Sequence, residues 1–257
     1  RSGVLVPTSV TPPGSQANRV QQGEAWSFYV ADKIDWGNFS FTPGVRVESI
    51  DLERFDFSGE DPERLQGPTG ERVNDITIAL PGIGVTYQAT DELLILGGVH
   101  RGFSPPSPGQ NDSDPEKSIN YELGFRYDHD LAFIDVIGFY SDYSNLLGRC
   151  TNSRACSADN DGDTFNGGEV DTYGLELSGG IDIPLTFEIL LPIRFNYTYT
   201  DAEFKEQFDS GLFGDVLIGD ALPYIPKHQG YVSAGVDGGF WDVTLSANYV
   251  GEVRTQA

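Results

Sequence analysis

The side chains with chemical potential in this sequence are arranged for binding rather than catalysis. Cys150 and Cys156 stand six positions apart in a polar stretch, with no second metal-binding pair nearby. Two free thiols are one reading, and a short loop disulfide formed in an oxidising compartment is the preferred one. Asp159-Asn160-Asp161-Gly162-Asp163 resembles a calcium loop in its alternate oxygen ligands. It departs from that pattern, because no glycine follows Asp163 and the twelfth position is Val170 rather than a glutamate. It is read as an acidic loop with loose affinity for divalent ions. His100, His129 and His228 are scattered and lie near no cysteine, so no metal site is expected. No nucleophile elbow, phosphate loop or zinc-binding histidine motif occurs, so neither an enzyme nor a cofactor is expected. The arginines have the clearest chemistry, since a guanidinium grips a carboxylate through paired, charge-assisted hydrogen bonds.

Composition narrows the class of protein. The 257 residues include 31 glycines and 15 prolines, and 12% are aromatic. Such usage suits many strands joined by turns, because Gly and Pro punctuate while aromatics fit pleated surfaces. A formal net charge of −23 argues against nucleic acid, which needs a basic stripe. Hydrophobic residues recur along the whole chain, so the acidic excess does not signal disorder. No apolar run is long enough for a transmembrane helix, yet a membrane-spanning strand needs only about 9–11 residues with one apolar face. The chain opens on Arg1-Ser2-Gly3 without an initiator methionine or a signal peptide, as a processed or partial chain would.

The elements that must position these side chains are strands. In Trp36 to Ser49, Phe39, Phe41, Val45 and Val47 alternate with Asn38, Ser40, Thr42, Arg46 and Glu48. In Ser118 to Asp128, Ile119, Tyr121, Leu123, Phe125 and Tyr127 oppose Asn120, Glu122 and Arg126. The same period of two runs through Thr172–Ile183, Ile193–Thr200 and Trp241–Arg254. A helix would scatter such a pattern around its axis. Weaker strands are expected near 24–32, 76–88, 91–103, 131–143 and 228–237. Leu93 to Arg101 and Leu131 to Tyr143 are apolar at both parities, so pattern alone leaves their phase open.

Connections alternate in length. Short turns are expected at Lys33-Ile34-Asp35, Ala89-Thr90-Asp91, Asp128-His129-Asp130, Asp182 to Thr186 and Asp237-Gly238-Gly239. Long polar loops are expected at 51–75, 104–117, 144–169 and 202–222, with 1–22 a partial one. Short and long in alternation put all turns at one end and all loops at the other, the layout of an outer-membrane barrel. A soluble sandwich also alternates. Against it stand mid-strand charges (Arg46, Glu48, Glu122, Arg126, Glu176, Arg194), as in a wet lumen. Strand lengths of about 10–14 residues also exceed the soluble average of about 5–6. Trp26, Tyr87, Tyr127 and Trp241 near strand ends suit interfacial girdles. The fold class is therefore all-β, an antiparallel transmembrane barrel with short periplasmic turns and long extracellular loops. About ten strands are expected across 1–257, both ends looking cut, so the chain is expected to be part of a larger barrel.

Local motifs carry a resemblance across residues 24 to 254. They include Thr42-Pro43-Gly44-Val45-Arg46-Val47-Glu48, Val99-His100-Arg101-Gly102-Phe103-Ser104-Pro105-Pro106 and Asn120-Tyr121-Glu122-Leu123-Gly124-Phe125-Arg126-Tyr127. Phe139-Tyr140-Ser141-Asp142-Tyr143-Ser144-Asn145-Leu146-Leu147, Asn166-Gly167-Gly168-Glu169-Val170 and Tyr173-Gly174-Leu175-Glu176-Leu177 follow. The last are Tyr197-Thr198-Tyr199-Thr200-Asp201-Ala202-Glu203-Phe204 and Leu222-Pro223-Tyr224-Ile225-Pro226-Lys227-His228. Together they resemble TonB-dependent outer-membrane receptors, and in particular the ferric-dicitrate-receptor branch.

That resemblance implies a barrel of about 22 strands around an N-terminal plug with a TonB-box, of which the plug and terminal strands are absent here. It implies import of a ferric chelate, ferric citrate or a related siderophore, energised by the TonB complex through the plug. Outer-membrane lipid and lipopolysaccharide would surround it. A porin, a receptor for a non-iron nutrient and a soluble or surface β-rich adhesion module are the alternatives. Arg101, Arg149 and Arg154, with Asn145, are the candidate contacts to an anionic iron chelate. Arg54 and Arg64 are also available, each with acidic neighbours that would satisfy it instead. Arg46, Arg126 and Arg194 are expected to form ion pairs within the barrel or to the plug. The proline-rich Ser104-Pro105-Pro106-Ser107-Pro108 is expected to stiffen a strand end beneath mobile loops.

Overall fold

The computed structural model describes residues 18–110, 114–149, 164–210 and 213–255, with backbone alone at 149, 164–166, 209 and 210. Long strands dominate: β1 (Arg19–Ala31), β3 (Phe39–Asp56), β4 (Gly70–Gln88), β5 (Leu93–Ser104), β6 (Glu116–His129) and β7 (Ala132–Ser144). After them come β10 (Val170–Pro184), β11 (Leu190–Phe204), β14 (His228–Asp237) and β15 (Asp242–Val250). Short pieces complete the set: β2 (Ile34–Trp36), β8 (Leu147–Arg149), β9 (Thr164–Asn166), β12 (Phe208–Ser210) and β13 (Gly214–Val216). The long strands form one antiparallel meander in the order β1-β3-β4-β5-β6-β7-β10-β11-β14-β15, with β2 paired to β3. Among the described residues there is no helix, and β1 and β15 do not pair with each other.

Register turns the alternation into two faces, because residues directly opposite on antiparallel strands share a face. Val99, Tyr121, Tyr140 and Tyr173 lie in one cross-strand row. Gly97, Leu123, Gly138, Leu175 and Tyr199 form the next row on the same apolar face. Leu123 and Leu245 are 69% and 78% exposed, although neither is polar. A face this apolar and this open is suited to lipid. The opposite face carries Arg46, Glu48, Glu122, Arg126, Glu176 and Arg194, the charges expected in a lumen.

The same register settles the two strands that pattern left open. Leu93 and Ile95 sit opposite Tyr127 and Phe125, so they belong to the apolar face, while Leu94 and Leu96 point with Arg126 to the polar one. In β7, Ile134, Val136 and Tyr140 are apolar-face residues, and Phe133, Ile137 and Phe139 line the polar face.

Several connections differ from expectation. The region 51–75 is strand at both ends, since β3 continues to Asp56 and β4 begins at Gly70. Above the membrane the outer face meets water, so charged residues such as Asp51 and Glu53 no longer argue against a strand. Residues 202–222 likewise contain the end of β11 and the β12–β13 hairpin. The first reversal falls at Gly37-Asn38 rather than at Lys33-Ile34-Asp35. Gly37 supplies the positive φ of 59° for it, and the β1 ladder is interrupted only near Pro43, which has no N–H to donate.

Buried hydrophobic side chains are few, as expected for a wall between lipid and a lumen. They gather at the loop end of the sheet, where Val170, Ala202, Phe204, Phe213 and Val216 form a cluster packed by Tyr143, Leu146, Phe208 and Leu222.

Candidate functional site

Two loop segments fold inward over the polar face. Residues 105–110 lie against the upper ends of β1, β3 and β4. Asn74 holds this strap by its backbone, accepting from Gly109 N–H at 2.9 Å and donating from Nδ2 to the Gln110 carbonyl. Gln21 Nε2 donates to the Pro108 carbonyl at 3.2 Å. Gly109 has a φ of 84°, and a Cβ there would lie 2.6 Å from Arg54 Cδ. Glycine is thus required both by the backbone and by the close approach. Ile50, Leu52 and Ile78 are buried on this part of the polar face. On the far side, the 205–227 segment turns back so that Phe213 and Phe208 meet the Phe204 ring edge-on at 5.3 and 5.5 Å.

Between the two folded loops lies a cleft of about 390 Å³ on β5, β6, β7 and β10. His100, Glu116, Ser118, Asn120, Glu122, Phe139, Tyr143 and Glu176 line it, and no lysine or arginine does among the described residues. Asn120 Nδ2 donates to Ser118 Oγ at 3.0 Å, which orders the floor. Glu116 accepts from Leu147 N–H at 3.0 Å and is held at the rim. Burial, and next the Glu116 charge, pushes the Tyr143 hydroxyl above its ordinary value, so it stays a neutral donor.

The candidate contacts fall in different places. Arg101 is exposed and sits opposite Ile119 on the apolar face, away from the cleft lining. Asn145 has a positive φ of 63°, and its Nδ2 donates to the carbonyls of Asp114 at 2.7 Å and Pro115 at 3.3 Å. It thereby pins the foot of the 104–117 connection to the end of β7. Arg149 has a backbone position in β8, but its side chain, like Arg154, the Cys150–Cys156 pair and the acidic run 159–163, lies outside the described residues. Arg54 is buried with Nε 2.9 Å from Asp56. Arg64 donates to Asn18 Oδ1 at 2.9 Å and stacks over Phe57 at 5.2 Å. Those two arginines hold loops together.

Mid-wall arginines pair within the barrel. Arg126 Nε lies 2.8 Å from Asp135, Arg194 Nη2 lies 2.6 Å from Asp182, and Arg46 meets Glu48. Arg194 also lies over the Phe133 ring at 5.8 Å. Asn74, His100, Ser118 and Asn120 were not legible as a group in the sequence. The one available signal was parity, since His100, Ser118, Asn120 and Glu122 share a face once register is known.

A wide antiparallel wall with an apolar outer face, a charged inner face and loops folded over one end defines part of an outer-membrane β-barrel. The chain belongs to the family described as TonB dependent receptor-like, beta-barrel, whose model matches residues 3–257. Members of this family are outer-membrane proteins of Gram-negative bacteria, and so is this chain. A metal-pseudopaline receptor, CntO, of Pseudomonas aeruginosa is 27% identical over 193 residues, covering 68% of this chain and 24% of the relative. The ferric citrate transporter FecA, solved unliganded, superposes with a TM-score of 0.70 at 23% identity, over 90% of this chain and 33% of that one. The ferric yersiniabactin uptake receptor FyuA of Yersinia pestis gives 0.66 at 21% identity, over 91% and 35%. The chain thus spans about a quarter of the curated relative's length and about a third of the solved chains.

Proposed function

We propose that this chain is part of the barrel wall of a TonB-energised importer of a ferric chelate of the siderophore class. The observation that carries the reading is the polar cleft framed by two inward-folded loops in a TonB-dependent receptor barrel. In the mechanism, the loops and cleft capture the chelate, a plug domain blocks the lumen below, and force from TonB on that plug opens the path. Family membership sets aside the porin and the soluble adhesion module. The motif resemblance to the ferric-dicitrate branch supports ferric citrate as the first cargo to test. Arg149 and Arg154 remain the proposed cationic contacts for such an anion.

A second cargo reading rests on the cleft lining. Its carboxylates Glu116, Glu122 and Glu176 with His100 favour a metal chelate bearing amine groups over a polyanion.

Uptake of radiolabelled iron as citrate, by iron-starved cells with and without the full-length gene, tests the proposal. Loss of uptake on deletion, restored by complementation, is expected for a citrate receptor. Unchanged citrate uptake with loss of an amine-bearing metal chelate would select the second cargo. Loss of neither would overturn both cargo readings.

A further inference from the structure

Phe139 stands within the cleft, and its neighbours are two bare carboxylates. On the polar face it lies directly opposite Glu122 of β6 on one side and Gly174 of β10 on the other. Directly opposite side chains on neighbouring strands have Cβ atoms about 4.5–5.5 Å apart. A Cβ on Gly174 would lie 2.6 Å from Phe139 Cζ, so the ring leans across the sheet into the space that a side chain there would fill. Glycine at this position permits that close approach. Glu176, two residues further along β10, shares the face and stands diagonally beside the ring. The half-buried ring thus has one carboxylate toward β6 and another toward β10.

Neither Glu122 nor Glu176 has a hydrogen bond or an ion pair among the described residues. A ring face carries negative potential, and carboxylates beside it add full charges. The combination attracts a cation that can also lie against apolar carbon, and an organic ammonium group meets both demands. A bare metal ion does not, since no group of three His, Cys, Asp or Glu side chains is gathered for one among the described residues. The upper cleft offers a polar anchor as well. Ser118 is 7% exposed and its Oγ accepts from Asn120, while its hydroxyl proton has no acceptor among the described residues. A Cβ on Gly102 would lie 2.6 Å from that oxygen, so glycine keeps it open to the cleft. Buried donors are normally satisfied, and this hydroxyl therefore favours a ligand with an acceptor group above its cation.

We infer that Phe139, with Glu122 and Glu176, forms a seat for an organic ammonium group of the cargo, with the cation on the ring face and the carboxylates beside it. As a cargo contact, the seat rests on the amine-bearing chelate being the one imported. It makes Phe139 a specificity-determining residue. A surface of carboxylates alone draws any cation, while a ring face selects one whose charge is wrapped in alkyl carbon. The ring requires no N–H donor, so a quaternary ammonium fits as a protonated amine does.

The test uses the full-length receptor in detergent micelles at fixed ionic strength. The probes are choline, a quaternary ammonium alcohol, and neohexyl alcohol, its uncharged carbon isostere, each titrated by saturation-transfer NMR. Choline is expected to bind about tenfold more tightly than the isostere, an arm that needs no variant to fold. Phe139→Leu is expected to weaken choline about fivefold, and Phe139→Trp to hold or strengthen it, with heat-modifiable gel migration unchanged in both. Equal binding of the two probes, no binding of choline, or unchanged choline affinity in Phe139→Leu would overturn the seat. If Glu122→Gln/Glu176→Gln then still weakened an amine-bearing chelate, the cargo would stand without the seat. Choline held through Phe139 in a receptor whose cells import no amine-bearing chelate would keep the seat and remove that cargo.

Discussion

Asn74 accepts the Gly109 amide at 2.9 Å, and this contact ties the proline-rich strap to the neighbouring hairpin rather than leaving it as a free loop. The same side chain donates to the Gln110 carbonyl, so one asparagine satisfies two adjacent peptide groups. Asn74→Ala removes both, at about 1 kcal/mol each. Amide hydrogen exchange at Gly109 and Gln110 is expected to accelerate by about five- to thirtyfold, with the sheet amides of β6 unchanged. Unaltered exchange would show that Gln21 and the prolines hold the strap alone.

The Asp201–Lys227 pair sets a pH window for the opposite loop. Burial would raise the Asp201 carboxyl, but hydrogen bonds from Lys227 and Tyr199 outweigh it and hold the group below its ordinary range. Lys227 is raised, first by its hydrogen bond to Asp201. A depressed carboxyl contributes stability above its unfolded value, and this is lost as pH falls through the folded value. A raised lysine contributes below its unfolded value, and this is lost as pH rises through the folded one. Limited proteolysis within 205–227 is therefore expected to stay slow from about pH 5 to 9 and to quicken at both extremes. Asp201→Asn is expected to abolish the acid limb.

How much of this was legible in the sequence varies along the chain for physical reasons. Inside the bilayer one face meets lipid, so Tyr121, Leu123, Phe125 and Tyr127 alternate with polar residues and announce both strand and face. Above the bilayer that constraint ends, and Asp51 to Asp56 look like loop although β3 continues through them. β5 and β7 were ambiguous because Leu94, Leu96, Phe133 and Phe139 put apolar groups on the lumen side as well. The candidate site was harder still. Arg101 looks like a ligand contact from its place at a strand end, but parity, set by its partner Ile119, puts it on the other side of the wall. Asn74 and Gly109 are 35 residues apart, and no local pattern links them.

The two faces predict opposite responses to the same charge. Leu123 lies between Gly97 and Gly138 on the apolar face and is 69% exposed. Leu123→Arg is expected to cost about 2 kcal/mol when the full-length barrel is refolded into bilayers, between the costs of a cation at the midplane and at the interface. Glu122→Arg, one residue away on the polar face, is expected to cost less than about 1 kcal/mol. Denaturant titration followed by heat-modifiable gel migration reads both. Equal costs would mean that the faces are assigned the wrong way round.

Charge in the cleft should decide the cargo. Glu122 and Glu176 share the polar face, Glu122 opposite Phe139 and Glu176 opposite Ile137, and both line the cleft with His100. Neither carboxylate has an ion-pair partner among the described residues, so each contributes its full charge to a ligand. For a chelate bearing amines these charges attract, and for ferric citrate they repel. Glu122→Gln/Glu176→Gln removes two negative charges while keeping size and hydrogen-bonding capacity. If the amine-bearing cargo is right, affinity for it is expected to fall about tenfold, on the order of 1.4 kcal/mol, with affinity for ferric citrate unchanged or higher. If ferric citrate is the cargo, the same variant is expected to bind it more tightly, since only repulsion has been removed. Fluorescence titration of the purified full-length receptor with each chelate separates the two cases. A variant that binds both chelates as wild type does would place the recognition surface outside this cleft, on loops or strands contributed from elsewhere in the receptor.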